Sequence, residues 1–367
     1  MKPNLDAITR AEVLEAAAGA GRGLAELGSR LGFARDLLDT WGKPDPKEVS
    51  CLTLLAGAGS RWARTLGEAR KGAIYCPNWR KAAVVSFPVG APRGLFPVRN
   101  FIGRGGKEIP MAAYALDALR GLGRQVIVIR GWEREISAAI LDPLGLSLME
   151  PSFRDQELGP GGKALGHGDA ARQCRDLWDS SSFVMANFGG DASSPLTALV
   201  SLIALKALGE EGEDVDLLLP AARIPDAAYP IFVDSKGLPR AFGHDKLGSG
   251  LPARDPSWKL SGLVNVGLRL YRAKALASAI DEIASLYWRD GWGYEIPGND
   301  PEGREFALDN VDALLASRGK ARLLPIARPE ELTPAKSFEE LDRFEAAAEK
   351  VRREWDEARP LLGLGKD

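Results

Sequence analysis

The residues with the clearest capacity for chemistry lie in one glycine turn, Leu55-Ala56-Gly57-Ala58-Gly59-Ser60-Arg61-Trp62, which closes an apolar run. Glycines let backbone N–H groups come within reach of phosphate oxygens, and the Ser60 hydroxyl and Arg61 guanidinium add a donor and a forked cation. That combination suits a triphosphate. Two other glycine-loop patterns do not fit: Trp62 stands where the third glycine of GxGxxG would fall, and no Gly-Lys-Ser/Thr follows as in a P-loop. Taken alone, the turn is equally a tight strand-to-helix connection.

Other chemistries are limited by composition. Only His167 and His244 exist, so a Ser-His-Asp or Cys-His site must use one of them, and histidine acid/base catalysis is not expected. Cys51, Cys76 and Cys174 are odd in number, far apart and without metal-ligand spacing; they suggest neither a disulfide framework nor a zinc site and fit a reducing cytoplasm. The 48 Lys+Arg and 50 Asp+Glu leave a formal charge of −2, which argues against a nucleic-acid partner. The opening MKPNLDAITRAEV has no apolar signal core, and no later run approaches about eighteen apolar residues, so a soluble, non-exported protein with no membrane partner is expected.

The elements that must position these residues follow from periodicity. With 367 residues, 45% of them hydrophobic, the chain can bury one large core or divide into about two domains. Apolar residues at three- and four-residue spacings predict a helical extension over residues 1–50, ended by Gly42, Pro44 and Pro46. Strands are predicted over 51–56, 82–89, 126–129, 182–186, 215–219, 231–233 and 263–271. Amphipathic helices are predicted over 109–122, 195–208 and 272–288, and a terminal helix over 337–359. This alternation predicts βαβ units around a mostly parallel sheet.

In their order along the chain, the motifs resemble those of the sugar-phosphate nucleotidyltransferases, the NDP-sugar pyrophosphorylases. The glycine turn is similar to that family's LAGGxGTR loop, with Ser60 for threonine. Residues 91–98 (APRGLFPV) and 106–111 (GKEIPM) resemble PKxLxPV followed by GKPM. The family's phosphate-contacting lysine is matched by Lys71 in distance and by Arg93 in context; Arg93 is favoured, although a planar fork replaces a compact point charge. Gly166-His167-Gly168-Asp169-Ala170 resembles the segment lying against the nucleotide base, and is otherwise a helix start capped by Asp169. Phe188-Gly189-Gly190-Asp191 resembles a strand ending in Gly-Asp, where a carboxylate at the open carboxyl edge of a sheet can hold Mg²⁺. Lys246 resembles the lysine meeting sugar phosphate, Asn265 the asparagine bonding the sugar, and Glu305 part of the segment preceding a helix near the sugar. Aligning Ser337-Phe338-Glu339-Glu340-Leu341 with the start of the family's last helix puts Lys336 at a second metal ligand's place, and a charged lysine cannot ligate Mg²⁺.

The resemblance implies a three-layer αβα, Rossmann-like (GT-A-like) α/β domain over residues 51–330, with helical appendages over 1–50 and 331–367. It further implies nucleotidyl transfer from an NTP, UTP or dTTP favoured, to a sugar 1-phosphate. Arg61 and Arg93 would neutralise the triphosphate, Mg²⁺ on Asp191 would meet the α-phosphate and Lys246 would hold the acceptor. Leu55, Ala56, Gly57, Gly59, Ser60, Gly166 and His167 would bind nucleotide, Asn265 and Glu305 sugar. Two alternatives stay open. One is a non-catalytic sugar-nucleotide binder, motivated by Arg93 and Lys336. The other is a glycosyltransferase, for which Asp214-Val215-Asp216 has the metal-motif spacing but precedes its strand. The N-terminal helices leave self-association open. On this reading Arg61→Ala should lose pyrophosphate release while keeping the fold, measured by a release assay beside circular dichroism; unchanged turnover removes Arg61 from the site.

Overall fold

A computed structural model describes residues 27–56, 60–103, 106–224, 230–242, 255, 257–297, 299 and 304–364. The expected helices of residues 1–26 lie outside them, as do Gly57, Gly59, His244 and Lys246. Helix α1 (Leu27–Trp41) leads through a single turn at Pro46–Glu48 into strand β1 (Val49–Leu54). Helices α2 (Ser60–Arg70) and α3 (Asn78–Ser86) precede a short hairpin of β2 (Pro97–Arg99) and β3 (Glu108–Pro110). Then come α4 (Ala112–Ala118), β4 (Arg124–Ile129), helical turns over 133–144, β5 (Ser152–Asp155), α5 (His167–Gln173) and β6 (Phe183–Phe188). Helix α6 (Pro195–Glu210) returns the chain to β7 (Leu217–Arg223). Strands β8 (Ile231–Val233), β9 (Pro239–Phe242) and β10 (Lys259–Leu260) form a small separate sheet. The chain re-enters the main sheet at β11 (Leu263–Asn265) and β12 (Arg269–Arg272). It ends with α7 (Ala273–Tyr287), the small ribbon β13 (Trp288–Arg289) and β14 (Gly293–Tyr294), α8 (Leu308–Ser317), β15 (Ala321–Leu324) and α9 (Leu341–Leu361).

The eight-stranded sheet runs β5-β4-β1-β6-β12-β7, with β15 and β11 also paired to β7. Strands β5, β4, β1 and β6 are mutually parallel, and β15 is parallel to β7. Because β12 is antiparallel to both β6 and β7, those two point the same way and the sheet is mostly parallel. From β1 the chain builds outward to β4 and β5 on one side and to β6 on the other. That reversal leaves an open crevice at the carboxyl ends of β1 and β6.

Alternate side chains of the strands feed two faces. Leu52, Leu54, Val126 and Val128 pack with α5, α7 and α8, whereas Val49, Cys51 and Met185 pack with α1 and α6, so helices cover both sides. Helix α6 is apolar nearly all round because it is enclosed, and it starts as the sequence predicts: Ser194 accepts from the Thr197 N–H at 3.3 Å and Pro195 occupies the first turn.

Four expectations need correction. Residues 82–89 contribute to helix α3 rather than a strand: Arg80 and Val84 share its buried face, Val85 is exposed, and a short apolar run does not by itself distinguish the two periods. The helix expected over 109–122 shrinks to α4 because Glu108–Pro110 pairs with β2. The strand expected over 263–271 is broken at Val266–Leu268. Strands β5 and β15 were not predicted, the first being a half-buried edge strand with little apolar content.

The terminal helices belong to the core. Arg30 of α1 is fully buried, forms ion pairs with Glu331 (3.4 Å) and Glu354 of α9, and donates to Thr197 of α6 at 2.8 Å. Burial pushes Glu331 up to about 7, against the pull of Arg30. Arg30→Met leaves these carboxylates short of a partner and should cost about 3–5 kcal/mol, read as a lowered urea midpoint; a midpoint within error of wild type contradicts the network.

Candidate functional site

The crevice at the carboxyl edge holds two adjoining cavities, of about 730 Å³ and about 270 Å³. The ends of β1 (Leu54, Leu55, Ala56), β4 (Arg130), β5 (Gln156) and β6 (Phe188) open into the larger one. Asp191, Asn265, Gly267, Arg269 and Lys336 line the smaller. Arg93, His167 and Phe188 line both.

The end of the first strand, Leu54 to Ala56, lines the larger cavity, and the glycines expected to follow it lie outside the described residues. The Leu55 N–H donates to the Val128 carbonyl at 2.8 Å, and the Gly189 N–H to that of Leu54 at 3.2 Å, fixing the end of β1 to β4 on one side and to β6 on the other. Ser60 begins α2. Arg61 is exposed on that helix and lines neither cavity. The cations that do line the larger cavity are Arg93, Arg130 and Lys163, with exposed Glu305 at its edge.

The Gly166–Ala170 segment forms the start of α5. Gly166 has φ +91°, and a Cβ there would meet the Phe306 carbonyl at 2.5 Å, so the loop needs glycine. Gly166 also occupies the cap position. Asp169 lies inside the helix and accepts instead from Arg172, Gln173 and the Tyr294 hydroxyl, the last at 2.8 Å; the expected Asp169 cap is thereby corrected. His167 faces the crevice: its Nδ1 accepts from the Leu308 N–H at 2.9 Å, its Nε2 lies 3.5 Å from Asp309, and its ring meets Phe188 edge-on.

The smaller cavity is organised around Asp191, which is 8% exposed. Burial pushes its carboxyl up to about 6, against the pull of Arg93, Lys336 and Arg269. Arg93 is itself held below its ordinary value by burial, opposed by Asp191 and Glu340. It lies flat over Gly190, where a Cβ would sit 2.5 Å from its guanidinium, and donates to the Ala335 carbonyl at 3.1 Å. Opposite, Gly267 at φ +87° would press a Cβ to 2.4 Å from Asp191. This turn breaks the β11–β12 strand. Asn265 holds it, donating to Pro220 (3.2 Å) and Leu268 (2.8 Å) and accepting from Gly267 (2.9 Å). Both amide hydrogens of Asn265 are therefore committed to backbone, which leaves its oxygen one further acceptor position. Arg269 is bound by Asp312 (2.7 Å) and Asp309 (3.0 Å); despite its burial those two charges hold it above its ordinary value.

A resident Mg²⁺ does not fit these residues. Asp191 offers a single carboxylate, and the charged side chains acting on it are cations. Among the described residues, no three His, Cys, Asp or Glu side chains gather in a way that could hold a metal. The Asp-x-Asp at 214–216 precedes β7 at its amino end, with Asp214 paired to Lys320, away from the crevice.

Sequence reasoning missed Arg130, Lys163, Arg269 and Asp312 as lining residues. Arg130, directly after a predicted strand, could have been found from the carboxyl-edge rule that led to Asp191. The others carry no local signal. No helix of the described residues is long and apolar enough to cross a membrane. No protein-family model matches this chain, and no curated protein matches it.

Because Asp191 is raised to about 6, the folded protein holds its proton more tightly than the unfolded chain does. The stability this proton confers is complete below about pH 4 and is lost as pH rises through 6. Asp191→Asn removes that loss, so the variant should gain about 3 kcal/mol on wild type between pH 4 and pH 7, read from urea midpoints. A pH-independent difference contradicts a buried ionising carboxylate.

Proposed function

We propose that the chain transfers a nucleotidyl group from a nucleoside triphosphate, UTP or dTTP first, to a sugar 1-phosphate, releasing pyrophosphate. The observation that carries this reading is the convergence of the end of β1 (Leu54 to Ala56), Arg93 and the Gly190-Asp191 stretch after β6 on one crevice at the sheet's carboxyl edge. Motifs more than a hundred residues apart in the chain share that crevice, in the order the family resemblance requires. The larger cavity has room for a nucleotide and carries three cations, and the smaller suits a compact polar acceptor.

The chemistry needs alignment and charge neutralisation more than proton transfer. An ionised oxygen of the sugar phosphate attacks the α-phosphorus, the bond to the β-phosphate oxygen breaks, and pyrophosphate leaves with its electron pair. No general base is required. Arg93 neutralises charge where the two cavities meet, and Arg130 and Lys163 attract the triphosphate tail. Any Mg²⁺ arrives with the triphosphate, as part of the substrate.

A second reading, a binder of sugar nucleotides without turnover, is favoured by one observation: Lys336 and Arg269 act on Asp191 where a catalytic ion would need acidic ligands. The test is a pyrophosphate-release assay of NTPs against a panel of sugar 1-phosphates, with and without Mg²⁺, beside calorimetry with the same nucleotides. Turnover should appear for at least one pair and fall by about 10²–10³ in Arg93→Ala. Tight binding without release favours the binder, and turnover indifferent to Arg93 removes the proposed mechanism.

A further inference from the structure

Residues 60–90 differ in charge from the rest of the chain. They hold the cations Arg61, Arg64, Arg70, Lys71, Arg80 and Lys81 against the single carboxylate of Glu68, in a protein whose formal charge is −2. Arg80 is buried and engaged inside, paired with Asp342 at 2.9 Å and Glu345 at 2.8 Å. Arg64, Lys71 and Lys81 are exposed and form no ion pair among the described residues. The same stretch carries the densest group of exposed large apolar side chains among the described residues: Tyr75 (83% exposed), Val85 (75%) and Val89 (88%), with Trp79 at 43%. Charge and apolar surface meet at a groove of about 490 Å³ between α2 and α3, whose lining includes Arg70, Tyr75, Lys81 and Val85. Lys81 and Val85 stand one turn apart on α3, beside its buried Arg80 and Val84. Arg70 is fixed in place, donating from Nε to the Val84 carbonyl at 2.9 Å and from Nη2 to that of Phe87; neither acceptor is an acid, so its charge is not cancelled.

We propose that this α2–α3 face docks on an anionic phospholipid surface, with Tyr75 and Val85 entering the boundary between headgroups and acyl chains while Lys71, Lys81 and Arg70 meet lipid phosphates. An aromatic ring with a polar tip and a branched apolar side chain, flanked by lysines, is the composition that lies in a membrane interface. Each cation gains from the negative potential of such a surface. The apolar side chains protrude rather than floor a deep pocket, which suits a fluid lipid layer better than a shape-matched protein face. A peripheral contact needs no spanning helix, and it departs from the expectation of no membrane partner, which rested on the missing long apolar run. The inference stands apart from the transferase reading. Helix α2 starts a short way past Ala56, which lines the larger cavity, so the docked face adjoins the helix that leads out of the crevice.

The test is co-sedimentation of the full chain with sucrose-loaded vesicles, either of phosphatidylcholine alone or of equimolar phosphatidylcholine and phosphatidylglycerol. Wild type should bind the anionic vesicles, bind the neutral ones far more weakly, and release as salt is raised. Two double variants probe the two halves of the contact, each confined to exposed side chains and checked by an unchanged thermal melt. Affinity should fall about thirtyfold in Lys71→Gln/Lys81→Gln and about tenfold in Tyr75→Ser/Val85→Ser. Glycerol 3-phosphate, a soluble headgroup, should displace the protein no better than sodium chloride of equal ionic strength. No binding to anionic vesicles, equal binding to neutral ones, or affinity unaltered in either variant each overturns the proposal. Displacement by glycerol 3-phosphate beyond the salt control also overturns it, because the groove is then a site for a free phosphate and not for a lipid surface.

Discussion

The arrangement depends on keeping one carboxylate, Asp191, nearly out of water at the mouth of a sheet. A buried charge at such a place is tolerated only with partners, and its partners come from distant parts of the chain: Arg93 before the first hairpin, Arg269 on β12 and Lys336 ahead of the last helix. The same contact closes the backbone around it. Arg93 donates to Ala335, whose own N–H reaches the Gly190 carbonyl at 3.4 Å, so the end of β6, the 93–95 turn and the approach to α9 meet at one point. Removing side chains was as necessary as placing them: Gly190 makes room for a guanidinium and Gly267 for the carboxylate.

Charge is then divided unequally between the two cavities. Arg269 is consumed by Asp309 and Asp312, and Asp312 also accepts from the Tyr271 hydroxyl at 2.6 Å. That group sets one cation against two carboxylates and stiffens the base of the smaller cavity, adding no positive charge to it. Arg130 and Lys163, by contrast, face the larger cavity as exposed cations, so the unbalanced positive charge lies where a polyphosphate would enter.

What could be read from the sequence was whatever local physics decides. Helix α6 was visible from its long apolar run, α7 from its period, and strand β8 from its three apolar residues. The strands β1 and β6 that flank the crevice were equally legible, and with them Asp191, because a carboxylate just past a buried strand must face the open edge. Features fixed by tertiary contact were not. Residues 82–89 carry enough valine to pass as a strand until the neighbours of Arg80 and Val84 are known. The break at Val266–Leu268 has its turn formers in Asn265 and Gly267, but only Asp191 lying behind Gly267 shows why the strand must stop there. Lys163 looks like any solvated lysine until the fold turns it toward the crevice.

The places where local rules fail are therefore informative. A left-handed glycine against a carboxylate, an arginine laid over glycine and a carboxyl raised to about 6 each cost stability, and all three occur within a few residues of the crevice. Elsewhere in the core, buried charge does a different job: Arg30, Glu331 and Glu354 join helices and touch no cavity described above. The two networks differ in access. Around Arg30 the charges are paired and closed off, whereas Arg93 and Lys336 act on Asp191 through space beside a cavity that a ligand can enter. An anion entering that space competes with Asp191 for the same cations, so binding and the ionisation of Asp191 are coupled by electrostatics alone.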